Sequence, residues 1–271
     1  MSAVAQTARH YGEFARIGFV NILAFRLRYY TGIVTYLINV TVYYFIWKAL
    51  YAADANFAQG FDFAEMVTYV AVGWVIRSVY FNNIDANIAT DVQSGNIILT
   101  MLKPTTVLAR YLGQSLGEAA FRLVLLTAPT AVIVALIFPL QAPASPLHAA
   151  AFLASLAGSV VLSGALNFIV GAFALEMKSI LGLLRAKFYV QELLSGLLLP
   201  MTMFPPALQS VLAWLPFEHV AYTPLRIYLG KLNGAELWTA LAAEWAWAAA
   251  LLWAGSWFWG WMARETTIQG G

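Results

Sequence analysis

The chain has 271 residues, 61% of them hydrophobic and 10% charged, with a formal net charge of +2. A soluble domain carries about 25% charged residues, so this composition excludes a water-facing globule and makes lipid the main solvent. Cysteine is absent, which removes disulfides, thiol chemistry and thiolate metal sites.

The predicted fold is all-α: a polytopic membrane protein with six transmembrane helices, an N-terminal amphipathic interfacial helix and an outer re-entrant helical segment. Six helices of ~20 residues with short connections fill the length, so residues 1–271 read as a single transmembrane domain. Over 8–29, Phe14, Gly18, Ile22, Phe25 and Tyr29 share one helical face, with Arg9, Glu13 and Arg16 opposite. Such a helix lies in the headgroup plane; the plainer alternative is a cytosolic lead-in. Charges spread through residues 1–30 do not match a cleavable signal.

Spans are expected at 31–52, 64–83, 115–139, 149–174, 186–203 and 237–262. The first ends in an aromatic belt, Tyr43, Tyr44, Phe45, Trp47 and Tyr51, of the kind that marks a membrane–water boundary. With the N-terminus inside, ten basic residues near span ends fall on the cytoplasmic side (Arg9, Arg16, Arg26, Arg28, Lys103, Arg110, Lys178, Arg185, Lys187, Arg264). Only three, Lys48, Arg226 and Lys231, fall outside. That asymmetry places both termini in the cytoplasm.

The connection 84–110 carries the first mechanistic signal. Asp85 to Val92 suits a short helix that Gly95 would end in a left-handed cap, and a second apolar stretch, Ile97–Leu102, stops at Lys103 and Pro104. A helix set below the bilayer is what a membrane subunit needs to meet a soluble motor; periodicity alone equally allows a plain loop. On the other side Pro200, Pro205, Pro206, Pro216 and Pro224 punctuate an apolar stretch in which Leu208, Val211, Leu212 and Leu215 keep helical spacing. It is too short to span. Its readings are a re-entrant outer gate over 204–217 or a structured outer loop.

Ionisable residues within spans are costly and informative. Arg77 and Arg122 lie close enough to a span end to snorkel to the interface. Glu192 could line a substrate entrance, or pair with Arg77 or Arg122 as a structural ion pair between helices. Glu244 is expected to face the water-filled outer end. No phosphate-binding GxxxxGK[ST] loop occurs, and His10, His148 and His219 are scattered rather than spaced as metal ligands. No Ser-His-Asp set or paired mid-membrane carboxylates suit an intramembrane enzyme. The adjacent Glu218 and His219 are the nearest approach to one.

Four stretches in order resemble one family: Asn21 to Arg26 (NILAFR), Ile46 to Tyr51 (IWKALY), Asp91 to Gly95 followed by Leu102-Lys103-Pro104, and Leu215 to Phe217 followed by Tyr222 to Pro224 and Ile227 to Lys231. Together the set is similar to the six-span permease subunit of type-2 ATP-binding-cassette exporters, in a poorly characterised, drug-resistance-like prokaryotic branch.

The resemblance implies a permease of the cytoplasmic (inner) membrane. It would be paired with a second six-span permease, identical or homologous, and docked on cytosolic ATPase subunits. Those partners would bind ATP and Mg, with no cofactor in this chain, no catalytic or metal residue and no nucleic-acid partner. The membrane lipids are its other neighbours.

Asp85, Asp91, Gly95, Lys103 and Pro104 would belong to the ATPase-coupling region. Pro205, Pro206, Leu208, Leu212 and Pro216 would form the outer gate, and Tyr36, Tyr43, Thr68 and Glu192 are candidate pathway residues. The substrate would be hydrophobic or amphipathic and its direction export. Lys103 stands where the family commonly has arginine, so a bidentate contact is not expected there. The rival reading is an ion-coupled secondary carrier, for which internal inverted repeats would be the sign.

Overall fold

The computed structural model describes residues 26–54, 57–58, 60–177 and 179–269, with side chains described between 31 and 264. The interfacial helix expected over 8–29 lies almost wholly outside the described residues. The first long helix, α1, runs Arg26–Ala53, followed by α2 (Phe63–Tyr80), two short helices α3 (Ile84–Gln93) and α4 (Asn96–Met101), and α5 (Val107–Arg122). A π-turn, Leu123–Thr127, joins α5 to α6 (Ala128–Ile137). Then come α7 (Pro146–Ala172), α8 (Leu181–Leu194), α9 (Pro206–Leu212), α10 (Tyr222–Tyr228) and α11 (Gly234–Gln269), with 3-10 turns at Phe173–Leu175, Met201–Met203 and Pro216–Val220. No strand occurs among the described residues. The fold is all-α.

Among the described residues, four stretches are long and apolar enough to cross a membrane: Thr31–Ala53, Val107–Ile137, Pro146–Leu175 and Gly234–Arg264. Two of the expected spans differ from these. The α2 helix has 18 residues and includes Glu65 and Arg77. The stretch expected over 186–203 is helical only as Leu181–Leu194, and at ~1.5 Å per residue it falls short of the ~30 Å hydrocarbon core. The helix stops because Gly196 turns into the left-handed region at φ 78°, where a side chain would also collide with Tyr222 (a Cβ would sit 2.7 Å from the Tyr222 Cβ). The broken backbone is satisfied internally: Tyr222 N donates to Ser195 O at 3.0 Å, and the Tyr69 hydroxyl donates to Gly196 O. Non-helical backbone at membrane depth persists only under such cover.

Short polar side chains set the helix starts. Asp62 accepts from Glu65 N at 2.7 Å and Glu65 accepts from Asp62 N at 2.8 Å, a reciprocal box that opens α2. Ser145 caps α7 through His148 N. Thr106 caps α5 through Ala109 N, so this helix begins at Val107, well before the span start expected at 115.

The helices pack around α7, which lies against α11, α3 and α2. Close approach is bought by small residues: Ser155, Gly158, Ser159, Ser163, Gly164, Ala165 and Gly171 are all buried on α7. One sequence expectation is overturned here. Glu244 does not face water; it is wholly buried and accepts hydrogen bonds from Ser155 (2.5 Å) and Ser159 (3.4 Å) in space left by Gly158. Arg77 forms the ion pair with Glu192, one of the expected readings, at 2.9 Å, and Arg122 Nη2 donates to Phe81 O at 2.6 Å.

The outward surface is apolar. On α1, Val34, Ile38, Val42 and Phe45 form an exposed stripe, and on α11 Trp245, Trp253, Trp257 and Trp261 form another. In a chain this hydrophobic, such stripes are lipid- or partner-facing.

The tightest helix crossing is testable. A methyl at Gly171 would stand 3.0 Å from the Asp85 Cα, a backbone atom that cannot yield cheaply. Gly171→Ala is expected to cost about 1–3 kcal/mol by overpacking, read as a lowered thermal midpoint of the detergent-solubilised protein; an unchanged midpoint refutes the crossing.

Candidate functional site

At the end of the bundle that carries α3 and α4, polar groups from five helices meet. Helix α8 reverses the usual amphipathic order. Its outward side is Leu181, Tyr189, Val190 and Leu193, all exposed, while Lys187, Gln191 and Glu192 turn toward the other helices. Lys187 Nζ lies 2.7 Å from the Asp85 carboxylate of α3 and donates to Asn167 Oδ1 of α7 at 2.6 Å. Asn167 in turn donates to Asn82 O (3.0 Å) and Oδ1 (2.8 Å). Gln191 and Asn82 both donate to Ser163 at 3.3 Å. One turn further along α8, Glu192 accepts from Arg77 Nε at 2.9 and 3.1 Å. The same guanidinium reaches Tyr36 of α1 at 3.5 Å and lies over the rings of Trp74, Phe81 and Phe188. A gap of about 20 Å³ remains between these groups, room for about one water.

The arrangement has a simple electrostatic logic. Two cations and two carboxylates sit with side chains only 7–17% exposed, and each charge has a partner within 3.0 Å. An unpaired charge there would cost several kcal/mol. The pairs therefore hold α8 to α3, α7 and α2, beside Leu183 and Leu184, which pack on Ala89, Ala174 and Ile180.

The family model for ABC-2 family transporter proteins matches residues 37–270. The chain belongs to that family. No curated protein matches the sequence. By that family the chain is a transporter membrane component.

Within this ABC-2 chain the expected coupling residues divide into two groups. Asp85 is 5% exposed and held by Lys187, and Asp91 accepts from the Tyr111 hydroxyl; both carboxylates serve internal contacts. Gly95 stands between α3 and α4 with φ 75°, and Lys103 and Pro104 are exposed. Beside them Ile98, Leu99, Met101 and Leu102 form an exposed apolar ridge on α4. Of the candidate pathway residues, Tyr36, Tyr43 and Glu192 converge around Trp74 and Arg77. Thr68 is separate from them. It is fully buried and accepts from Gln141 N at 3.0 Å, anchoring the loop before α7.

The expected gate residues lie at the opposite end. Pro205 and Pro206 start α9 and are exposed, as is Leu208; Leu212 is buried beneath, and Pro216 opens the following turn. Next to them a cavity of about 530 Å³ is lined by Trp214, Glu218, His219, Arg226, Glu236 and Trp247 among others. Burial pushes the His219 imidazole down to about 4, and its Nδ1 shares a 2.9 Å hydrogen bond with the Thr223 hydroxyl.

A reading of the sequence alone counts Lys187 among loop charges and passes over Asn82, Ser163, Asn167 and Gln191. The available signal was the spacing Lys187, Gln191, Ser195, a polar stripe at four-residue intervals through an apolar segment.

Two predictions test this chemistry. Lys187→Met leaves Asp85 buried without a counter-charge and is expected to cost about 3–5 kcal/mol. Adding Asp85→Leu should recover most of that loss in the thermal midpoint; strictly additive losses would show that the two residues do not interact. For His219, the unfolded imidazole binds protons below its ordinary value near 6.5, while the folded one does so only near 4. Stability should therefore be full above pH 6.5 and fall as pH drops toward 4, by up to about 3 kcal/mol. His219→Asn should flatten that slope in midpoints measured from pH 7 to pH 4.5.

Proposed function

We propose that this ABC-2 chain is the permease subunit of an exporter driven by ATP that separate cytosolic subunits bind with Mg and hydrolyse. It pairs with a second six-span permease, the same or homologous, and passes a hydrophobic or amphipathic substrate along their shared interface. It sits in the cytoplasmic membrane with both termini inside. The α2 helix and the α8 stretch complete six spans, and the 204–217 segment re-enters from outside as a gate.

One observation carries this reading: Lys187 on α8 holds Asp85 on α3 at 2.7 Å. Helix α3 is a short element at the end of the bundle, and α8 carries Glu192 with its Arg77 and Tyr36 contacts. A push on α3 from a docked ATPase would therefore be felt by α8 and, through Arg77, by α2 and α1. These helices bear the candidate pathway residues Tyr36, Tyr43 and Glu192. Thr68, the fourth candidate, lies apart from these three and holds Gln141 N at 3.0 Å. The ATPase-facing surface is Gly95, Lys103, Pro104 and the apolar ridge of α4, since Asp85 and Asp91 are engaged internally. A protein–protein contact of this kind takes its affinity from desolvated apolar anchors and its orientation from neighbouring charge.

The test uses the permease co-purified with the ATPase encoded beside it and reconstituted in vesicles. Hydrolysis should require both proteins. Gly95 has open space around it, so a side chain there meets no neighbour and acts through the backbone alone. Gly95→Val is expected to strain the α3–α4 turn by about 1–2 kcal/mol and uncouple hydrolysis from export. Gly95→Asn, which tolerates the left-handed region, should retain coupling. Equal export by both variants would reduce α3–α4 to a passive loop, and uphill transport driven by a proton or sodium gradient without ATP would replace the proposal with a secondary carrier.

A further inference from the structure

The long helical run Val107–Ile137 is not straight, and its bend leaves a cavity that export through a permease–permease interface does not use. Pro129 sits at the start of α6. It has no N–H to return to the carbonyl of Leu125, and its ring crowds that carbonyl, so the preceding turn widens into the π-turn Leu123–Thr127. Before the turn, α5 packs on α7 and α2. After it, α6 leans onto α1 and α2 and away from α7. The outer halves of two sequential helices are thus splayed, and the gap is about 500 Å³, within the range of small-molecule sites.

The wedge is mostly apolar: Thr127 also lines it, its hydroxyl taken up by Ser78 at 2.6 Å. Its floor is one face of α2 (Val72, Ile76, Val79), and α6 contributes only small residues to its wall, Ala131 and Ala135. The roof is the loop Leu140–Pro143, pinned by Thr68 at Gln141 N (3.0 Å) and by the Tyr228 hydroxyl at Gln141 O (3.1 Å). Two lining residues, Leu123 of the π-turn and Leu153 of α7, are 46% and 64% exposed, so the mouth opens sideways between the π-turn and α7. That opening is continuous with the lipid-facing surface of Val132, Leu136 and Leu147. An apolar void open to a bilayer loses dispersion contacts on every wall unless a chain enters it. The roof, where Gln141 is exposed, supplies a polar level at which a headgroup stays hydrated.

We infer that this wedge is a lateral binding site for one acyl chain of a membrane phospholipid, inserted between α6 and α7 with its headgroup at the Gln141 loop. The chain acts as a structural filler of the splayed helices, resident rather than transported. The inference rests on placement in a membrane and is independent of the direction or energy source of transport.

The experiment reconstitutes the full chain, with and without its ATPase, in vesicles of phosphatidylethanolamine and phosphatidylglycerol doped with a phospholipid bearing a mid-chain diazirine. The protein is extracted, washed free of bulk lipid, photolysed and mapped by peptide mass spectrometry. Retained label is expected on Ala131, Ala135 and the Val72–Val79 face. Ala135→Trp, which fills the wedge, should reduce it about tenfold, while Val132→Trp on the outward side of the same helix should not. Label spread over Val132 and Leu136 in the wild type, or undiminished by Ala135→Trp in a protein of unchanged elution profile, overturns the site. Label lost only when ATP is added would mean that the wedge holds cargo, which overturns the resident-lipid assignment. Because the chain has no cysteine, a single thiol at Ala135 gives a second readout if the tryptophan variant does not fold. Alkylation there by a membrane-soluble maleimide should slow when phospholipid is returned to the delipidated protein, and an unchanged rate counts equally against the site.

Discussion

An ammonium group in a chain whose main solvent is lipid must find its counter-charge inside the protein, and Lys187 finds it on Asp85. The low local dielectric that makes an isolated charge intolerable also makes the pair directional and strong. Much of the α3 end of the bundle is arranged around that requirement. Asn167 orients the ammonium, Asn82 holds Asn167, and Ser163 receives what remains of Asn82 and Gln191. The Arg77–Glu192 pair repeats the logic one turn along α8. Helix α8, which buries no residue fully, is positioned by these polar contacts together with Leu183 and Leu184, which pack on the cluster of Ala89, Ala174 and Ile180.

The opposite end is held by different means. The Asp62–Glu65 box fixes the first turn of α2, Lys231 reaches Glu65 at 2.5 Å, and Tyr228 and Thr68 secure the Gln141 loop. The splay of α6 from α7 is compatible with this fixed end because it arises mid-helix, at Pro129. The wedge is therefore a product of local covalent geometry, maintained by a roof that closes over it.

Composition and hydropathy made the membrane class and the long helices readable, since twenty-residue apolar runs have few other fates. The α3 helix and the left-handed Gly95 were legible too, because glycine after a polar amphipathic turn is a local signal. What escaped was tertiary. The break after Leu194 depends on Tyr69 and Tyr222 covering the backbone of residues 195 and 196, contacts far apart in sequence. Glu244 reads as water-facing until Gly158 and two serines are seen to make a pocket for it. Likewise the acidic pair in the α3 region looks available to a partner until Lys187 and Tyr111 occupy it. Polar residues in an apolar chain announce that they have partners without naming them.

The Gly171 crossing and the Lys187 contacts treat the two sides of α3 differently. On one side backbone meets backbone at a methyl's width, and α3, α7 and α11 form a block whose surfaces interlock and have no alternative fit. On the other side, α8 meets that block through an ion pair and amides and through Leu183 and Leu184, which pack on Ala89, Ala174 and Ile180. The two flanks of α3 are thus built differently: fitted backbone on one, and on the other a mixture of charge and aliphatic contact.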